Sequence, residues 1–305
     1  MHNPRLTILG CFSASPKANA HPTAQLLEMK GHLFLIDCGE GTQIRMRQQK
    51  AKFSRINHIF ISHLHGDHFF GLIGLISTFG LMNRQQDLRV YGPKGIKEII
   101  QLQLKLSKSY TQYQIHFHEL ESLAPQIIFE DEKLSVETIP LHHRVYTNGF
   151  LFKEKIGERK LDFEAAKNHK VSHTYFSLAK RKKDVVNLDG KTIAYQQITL
   201  PPDEPKTYAF CSDTSFKPGI VHQIKNVNLL YHESTFLEEH EDLCFKTKHA
   251  TAKQAGIIAQ KAKAKHLVLG HFSVRYRNLE KFKLEAEEVF SNVTLAKSGL
   301  TISIN

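Results

Sequence analysis

The 305-residue chain is 41% hydrophobic and 23% charged, with 41 Lys+Arg against 30 Asp+Glu and a formal net charge of +11. This is the composition of a soluble globular protein with room for a large core. No apolar run approaches the ~20 residues of a membrane span, and so basic a balance favours an acidic partner such as nucleic acid. The stretch from Met1 to Gly10 lacks the basic and apolar regions of a secretory signal. Cys11, Cys38, Cys211 and Cys244 form no CxxC pair, and three lie in or beside apolar strand-like runs, so buried, reduced thiols and a cytoplasmic location are expected.

In chain order, residues 5–11, 24–29 and 32–38 read as short strands separated by Pro, Asn and Gly loops. A short helix is predicted over 41–49, a strand over 56–62 that runs into a histidine-rich loop, and a buried helix over 69–82. A strand at 88–91, an amphipathic helix at 95–106, and strands at 113–118, 133–140 and 149–153 follow. From about 153 to 191 this rhythm breaks into a polar stretch with 11 Lys+Arg and 6 Asp+Glu, including Lys180-Arg181-Lys182-Lys183. It reads as an insertion projecting from the domain body. Regular structure resumes with strands at 207–211 and 228–232, a helix at 251–264, a strand at 266–269, a helix at 279–290 and strand material over 293–304. Strands and helices mixed throughout predict an α/β layered domain with buried sheets, one domain over 1–305 carrying an inserted arm.

The chemistry concentrates in Ser62-His63-Leu64-His65-Gly66-Asp67-His68. His63 and His65, two apart on an extended chain, project to one side, and Gly66 lets the backbone turn so that Asp67 and His68 approach from another angle. Imidazoles with a carboxylate suit Zn²⁺, and also Mn²⁺ or Fe. Four such groups in six residues are crowded for one tetrahedral ion and suit two ions ~3.5–4 Å apart. Three later segments also set a ligand type at the end of an apolar strand: Pro140-Leu141-His142-His143, Phe210-Cys211-Ser212-Asp213-Thr214 and Val268-Leu269-Gly270-His271. Together they complete a dinuclear site, with the Asp213 carboxylate able to bridge.

His63-Leu64-His65-Gly66-Asp67-His68 resembles the HxHxDH signature of the metallo-β-lactamase superfamily. Nearly end to end, the chain resembles ribonuclease Z, the tRNA 3′-processing endonuclease family. The likeness runs through Leu9-Gly10, Pro22-Thr23, Leu35-Ile36-Asp37-Cys38-Gly39-Glu40-Gly41-Thr42-Gln43, Phe70-Gly71-Leu72, Ser212-Asp213-Thr214, His249-Ala250-Thr251-Ala252 and Arg275-Tyr276. The resemblance implies a four-layer αββα sandwich and two zinc ions per subunit. It assigns His63, His65 and His143 to one zinc and Asp67, His68 and His271 to the other, with Asp213 between them. His142 is the rival of His143, and the family spacing selects His143. Asp37 would orient a ligand histidine from behind.

The same resemblance implies hydrolysis of a phosphodiester by metal-activated hydroxide, Asp67 accepting the proton of the attacking water and His249 assisting the leaving ribose oxygen. The products would be a tRNA 3′-hydroxyl and a released 3′ trailer. It also implies a homodimer, and places the basic insertion where the family carries a tRNA-binding arm. Here the insertion departs from the family pattern, with Gly157 and Gly190 but no proline; Phe152, Phe163, Tyr175 and Phe176 would pack it or touch RNA. Competing readings are another hydrolase of the superfamily, acting on a thioester, a small phosphodiester or an aryl sulfate, and an RNA-binding protein with a relic metal site.

Overall fold

Leu33, Phe34, Leu35 and Ile36 are all buried, with none of the alternation of a half-exposed strand. Such a run belongs to a sheet covered on both faces, and the computed structural model, which describes residues 3–305, has two of them. The strands before the insertion are β1 (Arg5–Gly10), β2 (Ala24–Met29), β3 (His32–Ile36), β4 (Ile56–Phe60), β5 (Leu88–Pro93), β6 (Ile115–Leu120), β7 (Ile127–Glu130), β8 (Leu134–Pro140) and β9 (Asn148–Glu154). Four two-residue strands follow: β10 (Lys160–Leu161), β11 (Val185–Val186), β12 (Thr192–Ile193) and β13 (Thr199–Leu200). The chain closes with β14 (Thr207–Cys211), β15 (Leu229–Glu233), β16 (Leu267–Gly270), β17 (Val293–Leu295) and β18 (Thr301–Ser303).

One sheet has the order β18-β1-β2-β3-β4-β5-β6 and the other β17-β16-β15-β14-β9-β8-β7. Aromatic rings join their inner faces: Phe34 lies 5.3 Å from Phe152, and Phe60 lies 5.4 Å from both Phe150 and Phe152. On the outer face of the first sheet, helices Gly71–Leu81 and Ile96–Leu106 bury Leu72, Leu75, Ile76, Phe79, Ile96 and Ile100. On the second, helix Ala252–Ala262 packs on β15 and β16, with helix Glu280–Glu287 against it. The layers are therefore helix, sheet, sheet, helix, the αββα sandwich expected. β3 through β6 run parallel, as do β14 through β17. The carboxyl ends of these parallel strands form the rim that carries the site.

The structure differs from the sequence pattern in instructive places. The helix expected over 69–82 is Gly71–Leu81, preceded by a separate turn, Gly66–Phe69. The closing strand material over 293–304 is two strands in different sheets, β17 and β18, turned at Gly299 with φ +92°. Both pieces are part-buried, so periodicity has nothing with which to separate them. β7 and helix Glu241–Thr247 were not expected, being too short, at four and seven residues, to show a period.

Asp131–Leu134 and Glu154–Pro205 form a second compact unit. Composition marked 153–191, but β10 pairs with β13 and β11 with β12, so the unit runs on to Pro205. It has a small core of Ala166, Val171, Ala179, Val185, Ile193 and Ile198, against which Phe176 packs. Phe152 belongs instead to the inter-sheet core, while Phe163 is 61% exposed. Residues 154–205 carry 10 Lys+Arg and 8 Asp+Glu, so the +11 of the chain resides mostly on the main unit. All four cysteines are free and buried, and burial pushes the Cys11 and Cys38 thiols up to about 12. Among the described residues no helix is long and apolar enough to cross a membrane.

The inter-sheet rings make a direct stability prediction. Phe60→Ala, which removes a fully buried ring, should cost roughly 3–5 kcal/mol in urea unfolding. Phe163→Ala on the second unit should stay within about 0.5 kcal/mol of the parent.

Candidate metal centre

The site is built where strands stop. Asp37 follows β3, Ser62 and His63 follow β4, Asp213 follows β14, Glu233 ends β15 and His271 follows β16. Asp37, Asp213 and His271 have φ of +55°, +60° and +59°. A left-handed turn at a non-glycine residue costs about 1–2 kcal/mol; the three such turns redirect the chain just as it leaves its strand. Gly39 and Gly71 allow a second close approach. A Cβ on Gly39 would lie 2.4 Å from the Asp67 carbonyl oxygen, and one on Gly71 would lie 2.1 Å from that of Gly39. The loop after β3 and the turn Gly66–Phe69 can therefore stack backbone on backbone, which brings Asp67 and His68 to the rim.

Two clusters of donor atoms result. His63 Nε2 lies 2.9 Å from His65 Nδ1, and His143 Nε2 lies 3.3 Å from the same His65 atom. In the other cluster, His68 Nε2 and His271 Nε2 are 3.3 Å apart, with Asp67 Oδ2 at 3.5 and 3.6 Å from them. Asp213 stands between. Its Oδ2 lies 3.0 Å from His68 Nε2 and 3.2 Å from His271 Nε2, while its Oδ1 lies 3.7 Å from His63 Nε2 and 3.8 Å from His143 Nε2. The structure thus gathers His63, His65, Asp67, His68, His143, Asp213 and His271 into one crevice. It separates His142 from them: that ring is exposed, its Nδ1 2.9 Å from Ser215 Oγ.

The outer nitrogens of these rings are also engaged. His68 Nδ1 donates to Asp37 Oδ2 at 2.7 Å, and Asp37 also accepts from the Ser62 amide and hydroxyl. Since the Ser62 hydroxyl donates to Asp37, it is left to accept from His63 Nδ1 at 3.0 Å. His143 Nδ1 donates to the Lys248 carbonyl at 3.0 Å. Thr235 Oγ1 donates to Glu233 Oε2 and accepts from His271 Nδ1 at 2.9 Å. With the outer nitrogen carrying the proton, each inner nitrogen presents a lone pair to the crevice. Four imidazole lone pairs with the nearby His65 and two carboxylates is a donor set that fits divalent metal ions.

Charge supports the same reading. Burial opposes ionisation of Asp213, yet the surrounding His271, His68 and His63 hold its carboxyl well below the usual range. Asp67 is likewise held low against its burial by His68, and its Oδ2 accepts from the Ala14 amide at 2.8 Å. Burial, and then the neighbouring His68, pushes His63 well below its ordinary value, so it is a neutral ligand type.

Sequence reasoning missed Glu233. Fully buried, it accepts from the Thr214 amide at 2.6 Å, His249 Nδ1 at 3.0 Å, the Ala250 amide at 3.2 Å, and the amide and hydroxyl of Thr235. Burial would lower the pKa of His249, but the Glu233 carboxylate more than offsets it and raises it to about 9. Glu233 had the same signal as Asp213, a carboxylate at the end of an apolar strand. His249 adjoins both clusters, its ring 5.1 Å from His143 and 5.3 Å from His271.

Two facing sheets with this rim of histidines and carboxylates define a hydrolase-type metal site on the metallo-β-lactamase fold. The fold is shared with the Bacillus subtilis metallo-β-lactamase fold protein YhfI, at 19% identity over 98% of this chain and 99% of that one, with a TM-score of 0.69. A family described as Anti-Pycsar protein Apyc1 matches residues 4–159. Ribonuclease Z of Bacteroides fragilis (strain YCH46) is 44% identical over 98% of this chain and 98% of its own, and that of Cytophaga hutchinsonii is 43% identical over 98% and 96%. The short form of human tRNase Z is 28% identical over 99% of both chains, with a TM-score of 0.72. The chain belongs to the ribonuclease Z family, and its first half falls within the family that the Apyc1 model describes.

A metal-binding crevice built this way couples to stability. Adding Zn²⁺ or Mn²⁺ to chelator-stripped protein should raise the melting temperature by several degrees, in line with about 2.7 kcal/mol at a hundredfold excess over Kd. Asp213→Ala should abolish most of that shift, as read by scanning calorimetry with and without metal.

Proposed function

We propose that the protein is a zinc-dependent endoribonuclease that removes 3′ trailers from precursor tRNA. The observation that carries the chemistry is the Asp213 carboxylate, whose two oxygens face two separate groups of imidazole nitrogens. The substrate follows from family membership over nearly the whole chain. In this reading His63, His65 and His143 would hold one zinc and Asp67, His68 and His271 the other, with Asp213 available to both. When bound, the two ions supply an acidified water near neutral pH and neutralise charge on the phosphoryl oxygens.

The chain's own residues do the rest. The Ala14 amide fixes Asp67 Oδ2, which orients the attacking water and accepts its proton. Water oxygen bonds to phosphorus as the bond from phosphorus to the ribose 3′ oxygen breaks. His249, its Nδ1 committed to Glu233, delivers the Nε2 proton to that departing oxygen. The products are a tRNA 3′-hydroxyl and a trailer with a 5′-phosphate. A pKa of about 9 keeps His249 in the proton-donating form at neutral pH.

The second unit supplies phosphate contacts from its exposed basic run. Lys180 and Arg181 pair with Glu158, at 3.9 and 3.0 Å, whereas Lys182 and Lys183 have no acidic partner among the described residues. A cytoplasmic homodimer completes the reading. Precursor tRNA and four reduced cysteines support the compartment, and exposed Ile44 and Leu81 on neighbouring helices Thr42–Gln48 and Gly71–Leu81 support the assembly.

The decisive assay is cleavage of a 3′-extended precursor tRNA by zinc-loaded protein, with mapping of the new 3′ end. An intact RNA alongside rapid hydrolysis of a thioester would overturn the reading. Asp67→Ala should lower turnover by about 10²–10⁴-fold while leaving tRNA affinity within a few-fold. The alkaline limb of kcat/KM should reflect loss of the His249 proton near pH 9. Glu233→Gln removes the charge that raises this pKa, so the limb should move to lower pH; an unmoved limb would exclude His249 as the acid.

A further inference from the structure

Beside His249 the surface opens into a pocket of about 300 Å³, lined among others by His142, Ser215, Phe245 and Lys248. None of these four side chains has a part in the chemistry above. We propose that this pocket seats the nucleotide on the 5′ side of the cut, its base stacked on Phe245 and a backbone phosphate on Lys248. The inference rests on the endoribonuclease reading and adds the nucleotide that the site grips.

Phe245 is the first reason. It lies on helix Glu241–Thr247, whose buried side chain is Cys244, and is itself 78% exposed. A large flat ring left in water contributes little to packing and offers the sequence-tolerant stacking face that single-stranded RNA binders use. Lys248 is the second. Its ammonium lies 4.8 Å from the centre of the Phe245 ring, so charge and ring form one platform, with most of the ring still open.

This platform is tied to the metal centre through backbone. Lys248 sits in a left-handed turn, φ +61°, and its carbonyl accepts from His143 Nδ1 at 3.0 Å. One residue thus orients a cluster histidine with its carbonyl and lines the pocket with its side chain. Two other lining residues are braced as well: the His142 amide donates to Thr214 Oγ1 at 3.2 Å, and the Ser215 amide donates to the His142 carbonyl at 2.9 Å. His142 and the Ser215 hydroxyl leave polar atoms at the rim for a ribose or base edge.

The direction of the RNA follows from His249. Its free Nε2 serves the departing 3′ oxygen, and that oxygen belongs to the nucleotide retained on the tRNA. The pocket abuts His249, so it takes that nucleotide and not the first one of the trailer.

The test uses precursor tRNA carrying 2-aminopurine on either side of the cut, bound to the Asp67→Ala protein so that it is not consumed. Fluorescence at the 5′-side position should be quenched on binding. Adding Phe245→Ala should remove the quench and weaken binding about tenfold, and Phe245→Tyr should restore both. The 3′-side probe should not respond to position 245. In the active enzyme Phe245→Ala should raise KM about tenfold with kcat held within twofold, and Lys248→Met, which keeps the carbonyl to His143, should make KM less salt-sensitive by about one phosphate contact. Quenching that survives Phe245→Ala, a response confined to the 3′-side probe, or a loss in kcat alone would overturn the proposal. Wild-type protein that binds and quenches the probe but never cuts the RNA would instead remove the endoribonuclease reading and leave the pocket standing.

Discussion

A buried carboxylate with imidazoles on both sides is the constraint on which the rest of this structure depends. Asp213 is almost fully buried, and each of its oxygens faces a different pair of histidines. Burying that charge alone would be prohibitive. The fold tolerates it because imidazole nitrogens, which can take up a proton or hold a metal ion, stand within 4 Å of both oxygens. The left-handed turns at Asp213 and His271, the glycine approaches at Gly39 and Gly71, and the hydrogen bonds to Asp37 and Thr235 all bring these imidazoles and this carboxylate together.

Glu233 organises the other half of the crevice. Its carboxylate gathers the Thr214 amide beside Asp213, both groups of Thr235 and the ring of His249. Through Thr235 it reaches His271. A cluster histidine and the proposed acid are therefore positioned by one buried anion, and a change there would be felt in both. Buried networks of this kind are stiff when every partner is satisfied, and stiffness is what a reaction with fixed distances needs.

The distribution of charge refines what the basic composition means. The inserted stretch looked like the seat of the positive charge, yet its compact unit is close to balanced. The larger excess lies on the main unit. Affinity for a polyanion then belongs to the body that carries the metal crevice as much as to the insertion, and phosphate contacts near the cut, such as that assigned to Lys248, carry part of it.

Periodicity and strand-end placement showed an α/β layered domain, the His63–His68 loop and three distant ligand-bearing segments at His142-His143, Asp213 and His271, because each depends on a local pattern: an apolar run that stops at a ligand type. The family likeness supplied the αββα layering, the choice of His143 over His142 and the division of those residues between two ions. What tertiary structure decided was not local. Whether His142 or His143 turns inward depends on the Lys248 carbonyl, 105 residues away. Glu233 matters only because β15 lies between β14 and β16, which sets its carboxylate among Thr214, Thr235 and His249. The strand material over 293–304 divides between two sheets because pairing partners, not alternation, choose the sheet. The extent of the second unit was hidden for a related reason: its elements are too short to show a period, and its core forms only when residues 161 to 200 close on one another. Sequence by itself determined which chemistry was available along the chain; contacts between segments distant in sequence decided which of those groups share a proton, a charge or a cavity.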